Sequence, residues 1–273
     1  MFRKIFILGL FSLLLVGCTK PKAKTTPVEQ KKQLVNALPV KDRPFVALFP
    51  HPSNKLLTIQ LDKLTGDYQQ ATLDLEYLSG TSLKGGRTTL DLPVAMPHNQ
   101  AFLLGSCSSG GKCSFDTDLV SGTLKTKLDN NSSSTHVLKS EFVFVKAGSA
   151  STPDTRVSWQ NTSTKVVDQI LLDTTGLPLQ FDGELAYAPI AISSSSNKKI
   201  SGSLNFKVSG VKTVKLFNGS SYQDLAATIG QDEVKVNLNL DPIAKTVEII
   251  RDDLKGAKEP ATLYLLGPIL LVK

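Results

Sequence analysis

Residues 234–240 read VKVNLNL, with apolar side chains at every second position and lysine or asparagine between them. A repeat of two is the side-chain period of an extended strand, whose alternate residues face opposite sides of a sheet; it cannot form one face of a helix. The same alternation returns at Leu57, Ile59 and Leu61, at Ala71, Leu73, Leu75 and Tyr77, at Leu204, Phe206 and Val208, and at Val247 and Ile249. Each stretch is expected to be a strand with one buried and one wet face. Turn-forming clusters separate them at short intervals: Thr65-Gly66-Asp67, Lys84-Gly85-Gly86, Asp129-Asn130-Asn131, Asn218-Gly219 and Asp241-Pro242. Beyond the N-terminal leader no segment carries apolar residues at i, i+3, i+4 and i+7, so a parallel α/β architecture lacks its crossover helices. The chain reads as all-β, with antiparallel sandwich architecture.

The small, polar stretch from Gly148 to Asp154 follows an apolar run at Phe142 to Val145 and precedes another around Val157 to Trp159. It is expected to divide the folded part into two immunoglobulin-like sandwiches, 43–148 and 155–273, with 149–154 as linker. One larger sandwich is the alternative. The halves show no internal repeat, and SSSSNKK at 193–199 reads as a solvated loop. The segment from Val214 to Leu225 resembles the turn-centred hairpins of β-rich bacterial surface proteins. Its Asn218-Gly219 supports a tight turn, with Leu216 and Tyr222 available to pack nearby.

At the N-terminus Arg3 and Lys4 precede an apolar segment from Ile5 to Val16, the pattern of an export signal over residues 1–17. As a helix this segment would span roughly 18 Å, short of the ~30 Å hydrocarbon core, so a permanent spanning anchor is the poorer reading. Its end, Leu15-Val16-Gly17-Cys18, resembles the lipobox of bacterial lipoproteins. That resemblance implies diacylglyceryl attachment to the Cys18 thiol, cleavage before it, and a protein held on the extracytoplasmic side of a membrane through lipid. An ordinary signal peptide with an incidental Cys18 is the plainer alternative. Each buried CH₂ contributes about 0.8 kcal/mol, so two or three acyl chains hold almost permanently. Thr19 resembles the residue found there in outer-membrane-directed enterobacterial lipoproteins, which use aspartate for inner-membrane retention. Residues 18–42, rich in lysine and carrying Pro21 and Pro27, read as a tether on the order of 25 to 30 Å from end to end.

The net charge of +7 is concentrated in those regions. Removing Arg3 and Lys4 leaves +5, and the tether's lysines at 20, 22, 24, 31 and 32 against Glu29 hold +4 of that, so the body is close to neutral. A nucleic-acid binder concentrates positive charge on its folded domain, which argues against nucleic acid as a partner.

With Cys18 assigned to lipid, Cys107 and Cys113 remain. The small, flexible residues between them let the backbone curl to disulfide distance, as suits an exported chain. The expected bond is a local staple for a loop tip, contributing roughly 2 kcal/mol. A metal site lacks further ligands in this segment, and the spacing is not C-x-x-C.

Catalytic signals are sparse. His51, His98 and His136 read as loop or strand-edge residues, unpaired at metal spacing. No G-x-S-x-G is present, and the Ser-x-x-Lys pairs at Ser109/Lys112, Ser195/Lys198, Ser196/Lys199 and Ser209/Lys212 lack the companion motifs of penicillin-binding enzymes. Asp116, Asp118, Asp252 and Asp253 are among many carboxylates, and the sequence does not reveal whether any two flank a cleft at glycosidase separation; Asp116 and Asp118 lack the rest of a calcium loop. No cofactor motif or metal site is read. Trp159, Tyr187 and Tyr222 are the few aromatic residues that could form a sugar-stacking platform. The sequence therefore points to a lipid-anchored binding or structural module contacting an envelope protein or glycan. A strand-exchanging surface subunit, suggested by the apolar stretch Leu263–Lys273, and an enzyme acting on envelope polymers are the alternatives.

Overall fold

The computed structural model describes residues 32–130, 134–146, 148–162 and 168–273. Cys18, the expected export signal and most of the expected tether lie outside the described residues. The first strands are β1 (Lys32–Val35), β2 (Phe45–Pro50), β3 (Leu56–Asp62), β4 (Gln70–Ser79), β5 (Ser82–Asp91) and β6 (His98–Leu103). A small hairpin, β7 (Gly105–Cys107) and β8 (Cys113–Phe115), precedes the long strands β9 (Leu119–Asp129) and β10 (Ser134–Phe144). Next come β11 (Ser149–Ser151), β12 (Val157–Asn161), β13 (Gln169–Asp173), β14 (Ile190–Ser194) and β15 (Ile200–Phe206). The chain closes through β16 (Thr213–Phe217), β17 (Tyr222–Asp224), β18 (Thr228–Ile229), β19 (Val234–Leu240), β20 (Ile243–Arg251) and β21 (Ala257–Val272). The one helical element among the described residues is a 3₁₀ turn at Val40–Asp42.

The all-β expectation holds, but the strands do not sort into two halves. A mixed sheet of fourteen strands runs β2-β3-β6-β20-β21-β14-β13-β10-β9-β4-β5, with β1 added to β10 and the β16–β17 hairpin added to β21. Strands from both sides of residue 148 are joined where β6 pairs with β20 and where β10 pairs with β13. Residues Lys32–Lys273 form one compact unit. The stretch expected to be a linker, 149–154, instead contains β11 and its turn into β12, in a second sheet ordered β11-β12-β15-β19-β18. Its polar composition serves that turn: Thr152 Oγ1 donates to Asp154 Oδ1, and Asp154 Oδ1 accepts the Arg156 N–H.

The folded body also reaches into the expected tether. β1 lies parallel to β10, from Lys32 opposite Ser134 to Val35 opposite Val137. Asn36 then carries the ladder one rung further with its side chain, which accepts from the Lys139 N–H at 2.9 Å and donates to the Lys139 carbonyl at 3.3 Å. Arg43 holds the following turn through the carbonyls of Leu38 and Asn36.

Packing explains the topology. All six residues of β2 are buried. Its register with β3 puts Phe45, Ala47 and Phe49 on one face with Thr58, Gln60 and Asp62, and Val46 and Leu48 on the other with Leu57, Ile59 and Leu61. The end strand of a flat sheet cannot cover both its faces, so the sheet rolls, and β2 comes to lie across β13, β14 and β21. One apolar cluster takes in both faces of β2 together with Leu73, Leu124, Leu138 and Leu265. A second cluster lies between the roll and the five-stranded sheet, around Trp159, which is 1 % exposed and donates its indole N–H to Gln169 Oε1.

The strands between these clusters read as unbroken apolar runs because both their faces are buried. Ile170 and Leu172 enter the first cluster and Leu171 the second; Ala191 enters the first, Ile190 and Ile192 the second. β15 and β19 cover one cluster only and keep strict alternation. Lys84-Gly85-Gly86, expected as a turn, lies within β5. There a Cβ on Gly85 would strike the Leu75 carbonyl and one on Gly86 the Phe102 ring, so the glycines permit close strand packing.

Truncating the innermost strand should therefore be costly. Leu48→Ala is expected to lower unfolding free energy by about 2–5 kcal/mol in urea denaturation. Leu83→Ala, at a position 68 % exposed on the β4–β5 hairpin, should change it by no more than about 0.5 kcal/mol.

Candidate binding cleft

Where the roll opens, a cleft of about 380 Å³ separates β2–β3 from the β20–β21 hairpin. Its walls are Phe45, Phe49, Phe217, Ile243, Leu263 and Leu265. Phe45 and Phe49 project from one face of β2 and are 4 % and 3 % exposed, so they belong to the core and line the opening as well. Ile243 pairs with Leu265 and Lys245 with Leu263, which places all four side chains on one face of the β20–β21 ladder. The volume falls at the lower end of the ~300–1,000 Å³ typical of small-ligand sites.

The β16–β17 hairpin overhangs the cleft. Asn218 Oδ1 accepts the N–H groups of Ser220 and Ser221, and Gly219 adopts φ +103° at the turn, as the expected Asn-Gly hairpin requires. Tyr222 braces the overhang with its ring centroid 5.5 Å from Phe217 and 5.4 Å from Phe181. Its hydroxyl donates to the Leu179 carbonyl, and burial pushes its pKa up to about 12. The rim carries one charge of each sign, Asp62 and Lys245, whose Oδ2 and Nζ stand 3.4 Å apart with both side chains partly exposed. Gln60, at the polar wall, donates to Asn99 Oδ1, and Asn99 donates to the Glu248 carbonyl.

Of the residues singled out in the sequence, the structure joins Cys107 and Cys113 in a disulfide as the last cross-strand pair of the β7–β8 hairpin. It does not assemble the histidines: His51 sits in the turn after β2 with Nδ1 2.8 Å from Ser53 Oγ, His98 opens β6, and His136 lies on β10 edge-on to Tyr68. Burial lowers the pKa of both His51 and His98. Among the described residues no Ser Oγ–Lys Nζ hydrogen bond forms at the Ser-x-x-Lys pairs, and no three His, Cys, Asp or Glu side chains group as a metal site. Asp116 instead accepts from the Tyr77 hydroxyl at 2.6 Å and lies 3.5 Å from Lys84 Nζ. Asp252 accepts the Leu103 N–H, while Asp253 pairs with Arg251. Trp159 is core, and Tyr187 donates to Asp154, so these residues form no shared sugar-stacking platform with Tyr222.

The cleft residues were not singled out in the sequence. Phe45 and Phe49 lie in a continuous apolar run indistinguishable from core, and Phe217, Ile243 and Lys245 are distant in the chain; the Asn218-Gly219 hairpin signal and the apolar stretch Leu263–Lys273, read for other reasons, touched the site. No family model, curated protein or solved structure matches the chain.

A half-buried carboxyl lies away from the cleft. Asp173, at the end of β13, has its pKa raised to about 7, chiefly by burial and then by Glu141 and Asp154, although it takes a backbone hydrogen bond from Glu141. Its Oδ1 has no hydrogen-bond partner, and Tyr187 and Arg156 complete the charged surroundings through Asp154. A raised carboxyl pKa favours the folded state while the group is protonated, and that contribution is lost as pH climbs from about 4 through 7. Asp173→Asn should therefore match the parent near pH 4 and exceed its stability at pH 8 by up to ~4 kcal/mol in urea titrations. An equal difference at both pH values would contradict this assignment.

Proposed function

We propose that this chain is a cell-envelope lipoprotein, held by lipid on Cys18 at the extracytoplasmic side of a membrane, that acts by binding an apolar ligand in the cleft at the mouth of the roll. In a host with an outer membrane, Thr19 favours that membrane; otherwise the anchor lies in the outer face of the cytoplasmic membrane. The cleft carries the binding reading: the half-exposed Phe217, Ile243 and Pro178, over a floor of buried Phe45 and Phe49, line a cavity whose charged lining residues are one ion pair at the rim. Such walls bind by excluding water and offer no group placed for acid–base or nucleophilic work. The lipobox supports the anchor, and the Cys107–Cys113 disulfide agrees with an oxidising compartment. With β1 docked on β10, the folded body begins at Lys32, inside the expected tether. The apolar C-terminal stretch that suggested strand exchange is occupied within its own sheet, between β20, β14 and β16.

Two measurements test this reading. Alkyne-palmitate labelling in the native host should mark the parent chain and not Cys18→Ser, which should leave the membrane fraction. Binding of an apolar fluorescent probe such as N-phenyl-1-naphthylamine to residues 19–273 should saturate at one site. Phe217→Ala should weaken it roughly fivefold, the equivalent of ~1 kcal/mol, without shifting the unfolding midpoint comparably.

A further inference from the structure

The cleft is asymmetric in a way that restricts what fills it. Its inner wall is built from Phe45, Phe49, Leu263 and Leu265, all buried, and offers no charge; its rim offers Asp62 and Lys245 together. A wholly apolar ligand would cover the rim and strip water from an ion pair without replacing its hydrogen bonds, which costs binding energy. A ligand with an anionic head alone would gain Lys245 but bring like charge against Asp62, and a cationic head alone would meet the converse repulsion. A head carrying both signs satisfies the two residues at once. It exchanges their single 3.4 Å contact for two charge-assisted bonds.

The narrowness of the site sets the other half of the ligand. At about 380 Å³, beneath an overhang fixed by Asn218 and the Phe217–Tyr222–Phe181 stack, the cleft suits one flexible chain and not a two-tailed lipid. We propose that its ligand is a single-chain amphiphile whose head bears an ammonium and a phosphate, with the tail along the half-exposed Phe217, Ile243 and Pro178 above the buried floor of Phe45 and Phe49, and the head across Asp62 and Lys245. This rests on the binding reading above, and the ammonium falls to Asp62 and the phosphate to Lys245. Because both rim residues are partly exposed, the head contributes selectivity of a few-fold.

The test uses the full acylated chain in phosphatidylcholine vesicles. These carry, in parallel, trace amounts of three diazirine-tailed probes of equal chain length: a lysophosphatidylethanolamine, a fatty acid and an alkyltrimethylammonium. After illumination, the label on peptides containing Phe45–Phe49, Phe217 and Ile243 is quantified by mass spectrometry. The expected result is about three- to tenfold more cleft label from the lysophosphatidylethanolamine than from either singly charged probe. Asp62→Asn and Lys245→Gln should each reduce that preference at least twofold while leaving the unfolding midpoint in place. Equal cleft labelling by all three probes overturns the head assignment and leaves the binding reading standing. Preferential labelling by the fatty acid or the ammonium probe overturns the zwitterionic head alone. Absence of cleft label from every probe, or protection of the cleft by an added apolar peptide in place of the amphiphiles, overturns the inference, and absence of any apolar occupant overturns the binding reading with it.

Discussion

Both faces of β2 are apolar, and both must be covered. Phe45, Ala47 and Phe49 on one side and Val46 and Leu48 on the other leave a six-residue strand with no face fit for water. At roughly 1.5–3 kcal/mol for each large apolar side chain taken out of water, a sheet that left either face open would forfeit much of its stability. Rolling the sheet over its own end strand solves this. The roll in turn makes β13, β14 and β21 a partition between two cores, since the five-stranded sheet covers their far side.

The functional proposal follows from the same geometry. A roll has a mouth, and here the inner strands and the β20–β21 hairpin diverge enough to leave a cleft whose floor is the buried Phe45 and Phe49 and whose half-exposed walls are Pro178, Phe217 and Ile243. The β16–β17 hairpin, tied down through Tyr222 and the Leu179 carbonyl, overhangs that mouth from outside the roll. Walls drawn from paired strands and an overhang anchored by Tyr222 are in place without a ligand, so under this proposal little ordering cost would accompany binding. The disulfide at the tip of β7–β8 and the docking of β1 fix peripheral parts of the body without contributing to the cleft's walls.

Strand identity was legible in the sequence wherever one face meets water. Val234–Leu240 and Ala71–Tyr77 alternate because solvent and core impose opposite demands on successive side chains. The disulfide and the Asn218-Gly219 turn were legible too, since both depend on residues close in the chain. Pairing between distant strands was not: nothing local to His98–Leu103 says that it will lie beside Ile250 and Arg251. The same limit produced the expected division at 149–154, where turn chemistry within β11–β12 has the composition of a linker. Gly85 and Gly86 read as a turn because their requirement comes from Leu75 and Phe102, which approach only in the folded sheet. Likewise, two serines of the SSSSNKK segment complete β14 and are buried. The cleft was invisible for a further reason: phenylalanines that line a cavity and phenylalanines that fill a core carry the same sequence signal.

Native-state hydrogen exchange resolved by residue tests most directly whether one rolled sheet holds the body together. If β2 is sealed between the outer strands, the amides of β2 and β3 will exchange together with those of β13 and β14, through a single opening whose free energy equals that of global unfolding. Separate opening free energies for residues 43–148 and 155–273, or early exchange across β2 while β15 and β19 stay protected, would contradict the account.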